Sequence, residues 1–435
     1  MKRIIVLAST ILATFLIPMG AACQESNTAV PERVLSISLS ISLALNNRKE
    51  ALLADKEIKI AVERINEAES FNYPKIDMTF NYSRVDTDHW MMLPPTFGSL
   101  LIPKTTPGDY CLTRLSLWQH VYSGGVYKSN SKLAQSNLER ADSQKKLVQN
   151  DITFEVKKEF YSLLATEKKL ETYKTVISSI EQKMESVPAP ASWTSVEKLQ
   201  VQDGLQGLRN EYTLLKNEYE KQKLEFLQTI GLELNTSFEI NETFEPIMEI
   251  YDLNKLLAWA FQYRPEPKQV QVQEEMDALS VKLSMAARSP TVSLGAHYEF
   301  PGETFNFDKK AWNATVNLSL PIYDGFASIY RTRQKNLQKD QNKLKRKDME
   351  DSIQFEVRKS YMDYNFWMNE MSERKNQLNN SEQLLPAGII GNSPTMVAVY
   401  NSYVKYKLSY IEATKEHLIS RVTVEHAIGK TLAKE

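Results

Sequence analysis

Three kinds of residue in this sequence have side chains or spacing suited to catalysis or ligand holding: a Gly-Lys-Thr triplet, scattered histidines and two cysteines. Gly429-Lys430-Thr431 has the order that ends a phosphate-binding loop, in which backbone N–H groups and a lysine cradle phosphates. The first glycine of such a loop would stand at position 424, which is Val424. His417 and His426 are nine apart on a helical stretch, so they lack the same-face spacing of a metal-holding pair. No Gly-rich nucleotide fingerprint, cysteine pair or nucleophile elbow occurs. Tyr400, Tyr403, Tyr406 and Tyr410 could line a substrate path, but their heptad phase fits helix packing better. These residues predict no enzyme, no cofactor and no resident metal. Energy for any transport would have to come from a partner.

The elements that would position such groups begin after a secretory signal over residues 1–22. It has basic Lys2 and Arg3, an apolar run from Ile4 to Ile17, and small Gly20, Ala21 and Ala22. Cys23 is then either a residue beside the cleavage point or a lipid acceptor. With Cys111 the only other cysteine, no disulfide framework is expected, and Cys111 reads as an inert strand residue. No later stretch is apolar for the twenty or so residues a spanning helix needs. Any membrane crossing would have to be a closed β-barrel. A formal net charge of −1, with 25% of residues charged, lacks the basic footprint of a nucleic-acid binder.

The second half of the chain repeats the first. Phe154-Glu155-Val156-Lys157-Lys158 recurs as Phe355-Glu356-Val357-Arg358-Lys359, and Tyr122-Ser123-Gly124 as Tyr323-Asp324-Gly325, both at an offset of 201. Arg48-Lys49-Glu50 matches Arg264-Pro265-Glu266, and Tyr73-Pro74-Lys75 matches Ser289-Pro290-Thr291, both at 216. Ile230-Gly231 matches Ile428-Gly429 at 198. Offsets that change only between elements mark two structural repeats, 23–240 and 241–435, that build one unit. The first repeat carries an insertion between Pro74 and Tyr122 whose prolines and glycines mark a loop.

Each repeat holds a pair of alternating segments. Val292, Leu294, Ala296, Tyr298 and Phe300 alternate with Ser293, Gly295, His297 and Glu299. Trp312, Ala314, Val316, Leu318 and Leu320 alternate with Asn313, Thr315, Asn317 and Ser319. Ile76, Met78, Phe80 and Tyr82 alternate with Asp77, Thr79, Asn81 and Ser83, whereas Arg114 and Trp118 interrupt the fourth segment, Cys111 to Gln119. Segments of this length with one apolar face suit transmembrane barrel strands, although half-buried soluble strands share the period.

The helices decide between those readings. From Gly125 to Glu185, and again from Gly325 to Leu385, no proline or internal glycine interrupts the chain. Each stretch predicts a helix roughly 90 Å long at 1.5 Å per residue, far beyond globular helices. After Pro188-Ala189-Pro190 and Ser393-Pro394 the chain turns back into shorter helices, about Trp193 to Ile230 and Thr395 to Ile428. The last one carries two apolar stripes: one through Val399, Tyr403, Tyr406, Tyr410, Ala413, His417, Ser420, Val424 and Ala427, the other through Val404, Leu408, Ile411, Leu418 and Val422. Two stripes imply a helix held between two neighbours. Helices near Ala51 to Phe71 and Glu266 to Ala287 would stack end to end with the returning ones beside the long helices.

Helix, strand pair, long helix, tip turn and returning helix, done twice, resembles the TolC-like outer-membrane efflux family across nearly the whole mature chain. Leu318-Ser319-Leu320-Pro321-Ile322-Tyr323-Asp324-Gly325 is similar to its strand-to-helix junction, and Tyr406 through Gly429 to its last helix. The resemblance implies a mainly α fold with β: duplicated long antiparallel helical hairpins plus four amphipathic strands, trimerising into a 12-stranded β-barrel and a periplasmic α-helical tunnel. It implies an outer-membrane exit duct of a tripartite efflux or type I secretion system, passively conducting substrates. The implied partners are a homotrimer's other copies, outer-membrane lipid, a periplasmic adaptor (membrane fusion) protein and an inner-membrane pump of RND, ABC or MFS type. Adaptor contact is expected at the tips, Val187, Pro188, Ala189, Pro190, Ala191 and Ser192 in one turn and Pro386, Ala387, Gly388, Ser393 and Pro394 in the other. Those turns hold no Asp or Glu, so an acidic gate ring is not expected. The competing reading is a soluble periplasmic helical-hairpin scaffold or adaptor, which would show one hairpin flanked by small β-domains.

Overall fold

A helix in water needs a covered face along its length, and the length to be covered is set by two very long helices. The computed structural model describes residues 33–85, 108–186, 194–305, 307–388 and 395–432. In chain order its elements are β1 (Arg33–Leu35), α1 (Ile37–Asn47), α2 (Lys49–Ser70), β2 (Lys75–Val85), β3 (Gly108–Tyr122), α3 (Val126–Ser186), α4 (Ser195–Ile230), β4 (Phe238–Ile240), α5 (Leu253–Tyr263), α6 (Pro265–Ala286), β5 (Thr291–Gly302), β6 (Ala311–Ser319), α7 (Ala327–Gly388) and α8 (Thr395–Ile428). Helices α3 and α7 have 61 and 62 residues. The short helices lie beside them end to end: α2 and then α4 along α3, and α6 and then α8 along α7, with α3 also touching α6 and α8. The result is a wall of helices rather than a bundle around one core.

The repeat seen in the sequence is a repeat in space. One core joins Ala44, Ile152, Val156, Leu163 and Ile230. Another joins Ala260, Ile353, Val357, Tyr364 and Ile428, the same positions shifted by the sequence offsets. Sheet register agrees with those offsets. Strands β2 and β3 pair with Ile76 opposite Leu117 and Met78 opposite Leu115, while β5 and β6 pair with Val292 opposite Leu318 and Leu294 opposite Val316.

The seams in α8 follow expectation over its C-terminal part, where Ala413, His417, Ser420, Val424 and Ala427 are buried together with Ile411, Leu418 and Val422. Nearer the tip Val404 is buried as expected, but its buried companions are Met396, Val397 and Tyr400, and Tyr406 is exposed. There α8 meets α4 and the end of α3, so its covered face turns. Helix α7 also runs past Leu385 through Pro386 to Gly388.

Three features have no counterpart in the sequence pattern. Short helices α1 and α5 precede α2 and α6, each separated from its successor by one extended residue, Arg48 (φ −65°, ψ 135°) or Arg264 (φ −65°, ψ 140°). Strands β1 and β4 form a parallel pair that ties the start of one repeat to its end. The linker after β4 crosses to the second repeat: Glu249 O accepts a 2.8 Å hydrogen bond from Tyr364 Oη, and Ile247 O lies 3.1 Å from His417 Nε2.

His417 is fully buried, and its Nδ1 has no partner among the described residues. Burial depresses its pKa, opposed by the bond to Ile247 and helped by the Arg421 charge. The unfolded state therefore binds a proton more readily than the folded one. The stability from neutral His417 is complete above its ordinary pKa of 6.5 and is lost as pH falls below it toward the depressed folded value. His417→Phe should flatten this part of the stability curve, measured as the unfolding midpoint in detergent between pH 7.5 and pH 5 relative to the parent chain. An unchanged slope would assign the loss to other groups.

Candidate conduit wall

Four strands form one open antiparallel sheet in the order β2-β3-β5-β6. Register puts Ile76, Met78, Phe80 and Tyr82 on one face with Leu115 and Leu117, then with Ala296 and Tyr298, then with Trp312, Ala314, Val316 and Leu318. Most of these side chains are exposed; Val316 and Leu318 are 75% and 69% exposed. A contiguous apolar face this broad needs lipid or a partner to cover it. Arg114 and Trp118, which break the sequence pattern, lie on the opposite, polar face. Arg114 Nε donates to Glu299 Oε1 at 2.7 Å, and Ser116 Oγ lies 3.0 Å from His297 Nδ1. Trp118 packs edge-on against His297 and covers Gly295, where a Cβ would meet the indole at 2.8 Å. Their irregularity is a cross-strand cluster, not a flaw in the strand. Cys111 is a buried free thiol in β3.

Below the sheet the wall must not break where two short helices abut beside one long helix. The joint is built the same way twice. Helices α4 and α8 each end in a left-handed glycine, Gly231 (φ 71°) and Gly429 (φ 69°). The 6→1 bonds Leu232 N–H to Leu227 O and Lys430 N–H to Glu425 O close both caps. A Cβ on Gly231 would lie 2.9 Å from Asn47 Cβ, and one on Gly429 would lie 3.1 Å from Arg264 Cα. The caps thus seat on the kinks that start α2 and α6. At each kink the arginine grips its own first turn and the adjacent long helix: Arg48 pairs with Glu50 and Glu155, and Arg264 with Glu266 and with Glu356 at 2.5 Å. Burial alone would lower the pKa of Arg264, but its hydrogen bonds to Glu266 and Glu356 outweigh this and raise it. A gap of about 470 Å³ beside the second joint is lined by Asp151, Arg264, Glu266, Glu356 and His426, among others.

The same geometry accounts for the residues that resembled chemistry. Gly429-Lys430 is a helix cap whose ammonium lies 4.9 Å from the rings of both Trp259 and Tyr263. His426 Nε2 lies 2.8 Å from Asp151 Oδ1, and its ring packs on Phe154. Two ion pairs tie the repeats across α3 and α8: Lys157 to Glu425 at 2.5 Å, both nearly buried, and Lys169 to Glu412 at 2.6 Å. Among the described residues no His, Cys, Asp and Glu group is arranged to hold a metal, and no helix is long and apolar enough to cross a membrane.

Of the residues expected at the tips, Val187, Pro188, Ala189, Pro190, Ala191, Ser192, Ser393 and Pro394 lie outside the described residues, as does Cys23. Pro386, Ala387 and Gly388 form the last turn of α7. The flanking segments do come together: Ile180 of α3, Val201 and Leu205 of α4, and Met396 and Tyr400 of α8 share one core. Thr194 opens α4 with a capping box to Glu197.

Comparison with solved structures finds the same architecture. The outer membrane protein VceC from Vibrio cholerae matches with TM-score 0.74 at 13% identity, over 91% of this chain and 96% of that one. The Campylobacter jejuni CmeC outer membrane channel matches with TM-score 0.71 at 14% identity, over 94% and 90%. The open state of the Neisseria gonorrhoeae MtrE outer membrane channel matches with TM-score 0.72 at 12% identity, over 91% and 89%. This chain has the TolC-like channel fold. No family model matches the sequence, nor does any curated protein. In this fold the two joints are where the short helices of the wall abut.

Replacing Arg264 with Met keeps the aliphatic stem and leaves Glu266 and Glu356 unpaired, so it should cost about 2 kcal/mol of stability. Glu57→Gln breaks only the exposed pair with Arg64 and should cost under about 0.5 kcal/mol. Denaturant titration of both purified variants tests the contrast, and equal losses would remove the joint's special standing.

Proposed function

We propose that this chain is an outer-membrane exit duct that passively conducts substrates out of the cell. The observation that carries the reading is an open sheet, apolar on one face and polar on the other, continuous with a helical wall roughly 90 Å long. A sheet in a bilayer must close, because unpaired backbone groups in hydrocarbon cost several kcal/mol each. Four strands are too few to close a barrel around a lumen, so copies of the chain must share one; three copies give twelve strands. The likeness to outer membrane channels supports the location, with the helical part in the periplasm. The duct would serve a tripartite efflux or type I secretion system. It would take its substrate from an inner-membrane pump of RND, ABC or MFS type through a periplasmic adaptor at the helical tips. The residues described here act by shape, lining and docking, and the pump supplies the energy.

Mass measurement by light scattering on protein extracted from outer membranes in mild detergent should give a trimer. A soluble monomer would overturn the duct and favour a periplasmic scaffold. Leu318→Arg places a charge on the apolar face and should reduce membrane assembly at least tenfold, whereas Asn317→Asp on the polar face should leave it near the parent level. Equal tolerance of both, read by heat-modifiable migration and membrane fractionation, would count against the barrel.

A further inference from the structure

The two repeats share a backbone plan but not a charge pattern, and the difference is concentrated on α7. Residues 331–347 carry eight Lys and Arg against one acid, Asp340, in a chain whose formal net charge is −1. The equivalent stretch of α3, residues 130–146, carries four against two. Lys339, Lys343, Arg346 and Lys347 follow one another at helical spacing, so they share one face of α7. We propose that this face is a docking surface for a carboxylate-bearing polymer of the periplasm, the peptide-linked glycan mesh of the cell wall. The inference goes beyond the duct reading and rests on it for which side of the helical wall faces outward.

The fold does not require this row of cations. Its counterparts on α3, 201 residues earlier, are Leu138, Asp142, Lys145 and Lys146. There the charges are answered inside the chain: Lys146 pairs with Asp142 at 2.8 Å, and Lys145 with Asp55 of α2 at 2.7 Å. On α7, Arg346 is held by Glu350 at 2.9 Å and Glu274 at 3.4 Å, and Lys343 by Asp340 at 2.9 Å. Lys339 and Lys347 have no ion-pair partner among the described residues. Lysines four apart on a helix repel one another, so the row opposes helix stability, and an anionic partner would offset that cost.

Position and side select the partner. Helix α5 packs on α7 and α8 as α1 packs on α3 and α4, so these short helices form a second layer on one side of the helical wall. In a closed tunnel an extra layer fits on the convex, outer side. Arg346 stands on that side, where it lines a groove of about 500 Å³ together with Phe261 of α5 and Lys268 of α6. The row therefore runs down the outside of the tunnel and ends in this groove. Lys339 and Lys347 lie 12 and 20 residues beyond Ala327, the start of α7, which is roughly 18 and 30 Å along its axis. Anionic headgroups attract cations over about one Debye length, roughly 8 Å, so the row lies too deep for the membrane surface. The cell-wall mesh surrounds any duct that crosses the periplasm, and its peptides carry free carboxylates. Lysine suits such a ligand, because its ammonium is a point charge with three rotatable donors and sets no demand on the orientation of the carboxylate.

Co-sedimentation with purified peptidoglycan sacculi tests the surface, using the full chain extracted from outer membranes in mild detergent. At low ionic strength most of the parent protein should pellet with the sacculi, and raising the salt to about 0.5 M should lower the bound fraction about fivefold. Lys339→Gln, Lys343→Gln and Lys347→Gln together should lower the low-salt fraction by a similar factor. Lys198→Gln, Lys216→Gln and Lys221→Gln make the same charge change at exposed positions of α4 and should leave it close to the parent level. Sacculi whose carboxylates have been amidated should fail to pellet the parent, a result that depends on no variant folding. A parent that stays in the supernatant at low salt, or equal losses in the two triple variants, would overturn the docking surface. If the α7 variant loses binding to phosphatidylglycerol vesicles and keeps its binding to sacculi, the row belongs to lipid and the proposal fails. A protein that is a soluble monomer by light scattering, yet binds sacculi through the row, would overturn the duct and leave this surface standing.

Discussion

A helix of some sixty residues cannot be covered by one ordinary partner, and the rest of the molecule follows from how two short helices share that length. Where they abut, three helix ends and their unpaired backbone groups come together beside a long helix. The arginine kinks resolve this. Arg48 and Arg264 are extended, so each stops one short helix and starts the next, while the side chain returns to the carboxylates of Glu50 and Glu155 or Glu266 and Glu356. The glycine caps of α4 and α8 then fit onto the kink with no room for a Cβ at Gly231. A wall built of separate helices becomes continuous at these joints.

The remaining constraint is that the wall has two ends. A single chain leaves both edges of its sheet, β2 and β6, and one face of α7 uncovered, and the middle of β6, where Val316 and Leu318 are exposed, carries no charge or proline to blunt its edge. That is the pattern of an interface, not of a finished surface. The ion pairs that cross between repeats, Lys157 with Glu425 and Lys169 with Glu412, are not reused. Their counterparts at the outer edges are Arg358 and Leu227, and Glu370 and Leu214. The internal seam between the repeats and the outer edges of the chain therefore carry different side chains.

Most of the architecture was legible because it is written in long periods. Uninterrupted helices, alternating strands and repeat offsets each extend over many residues, so the sequence pattern outweighs local irregularity. The parts that were not legible are short or depend on distant partners. Three-residue strands β1 and β4 give no period to read, and α1 is separated from α2 by a single residue whose type does not announce a kink. The arginines were visible as repeat anchors, and so were Glu155 and Glu356, yet only the fold brings them together. Arg114 and Trp118 broke the alternation because their partners, Glu299 and His297, stand on a strand almost two hundred residues away.

The residues that first suggested chemistry teach the same point about context. A glycine followed by lysine near a phosphate-loop spacing is also what a Schellman cap with a downstream cation looks like, and the left-handed Gly429 and the aromatic seat of Lys430 show which it is. A histidine on an apolar stripe is more often a packed ring than a ligand, and His417 is packed against Tyr364 with one nitrogen on a carbonyl. In an ordinary enzyme, polar groups converge on a pocket and the scaffold serves them. Here the polar groups are spent holding helices to one another.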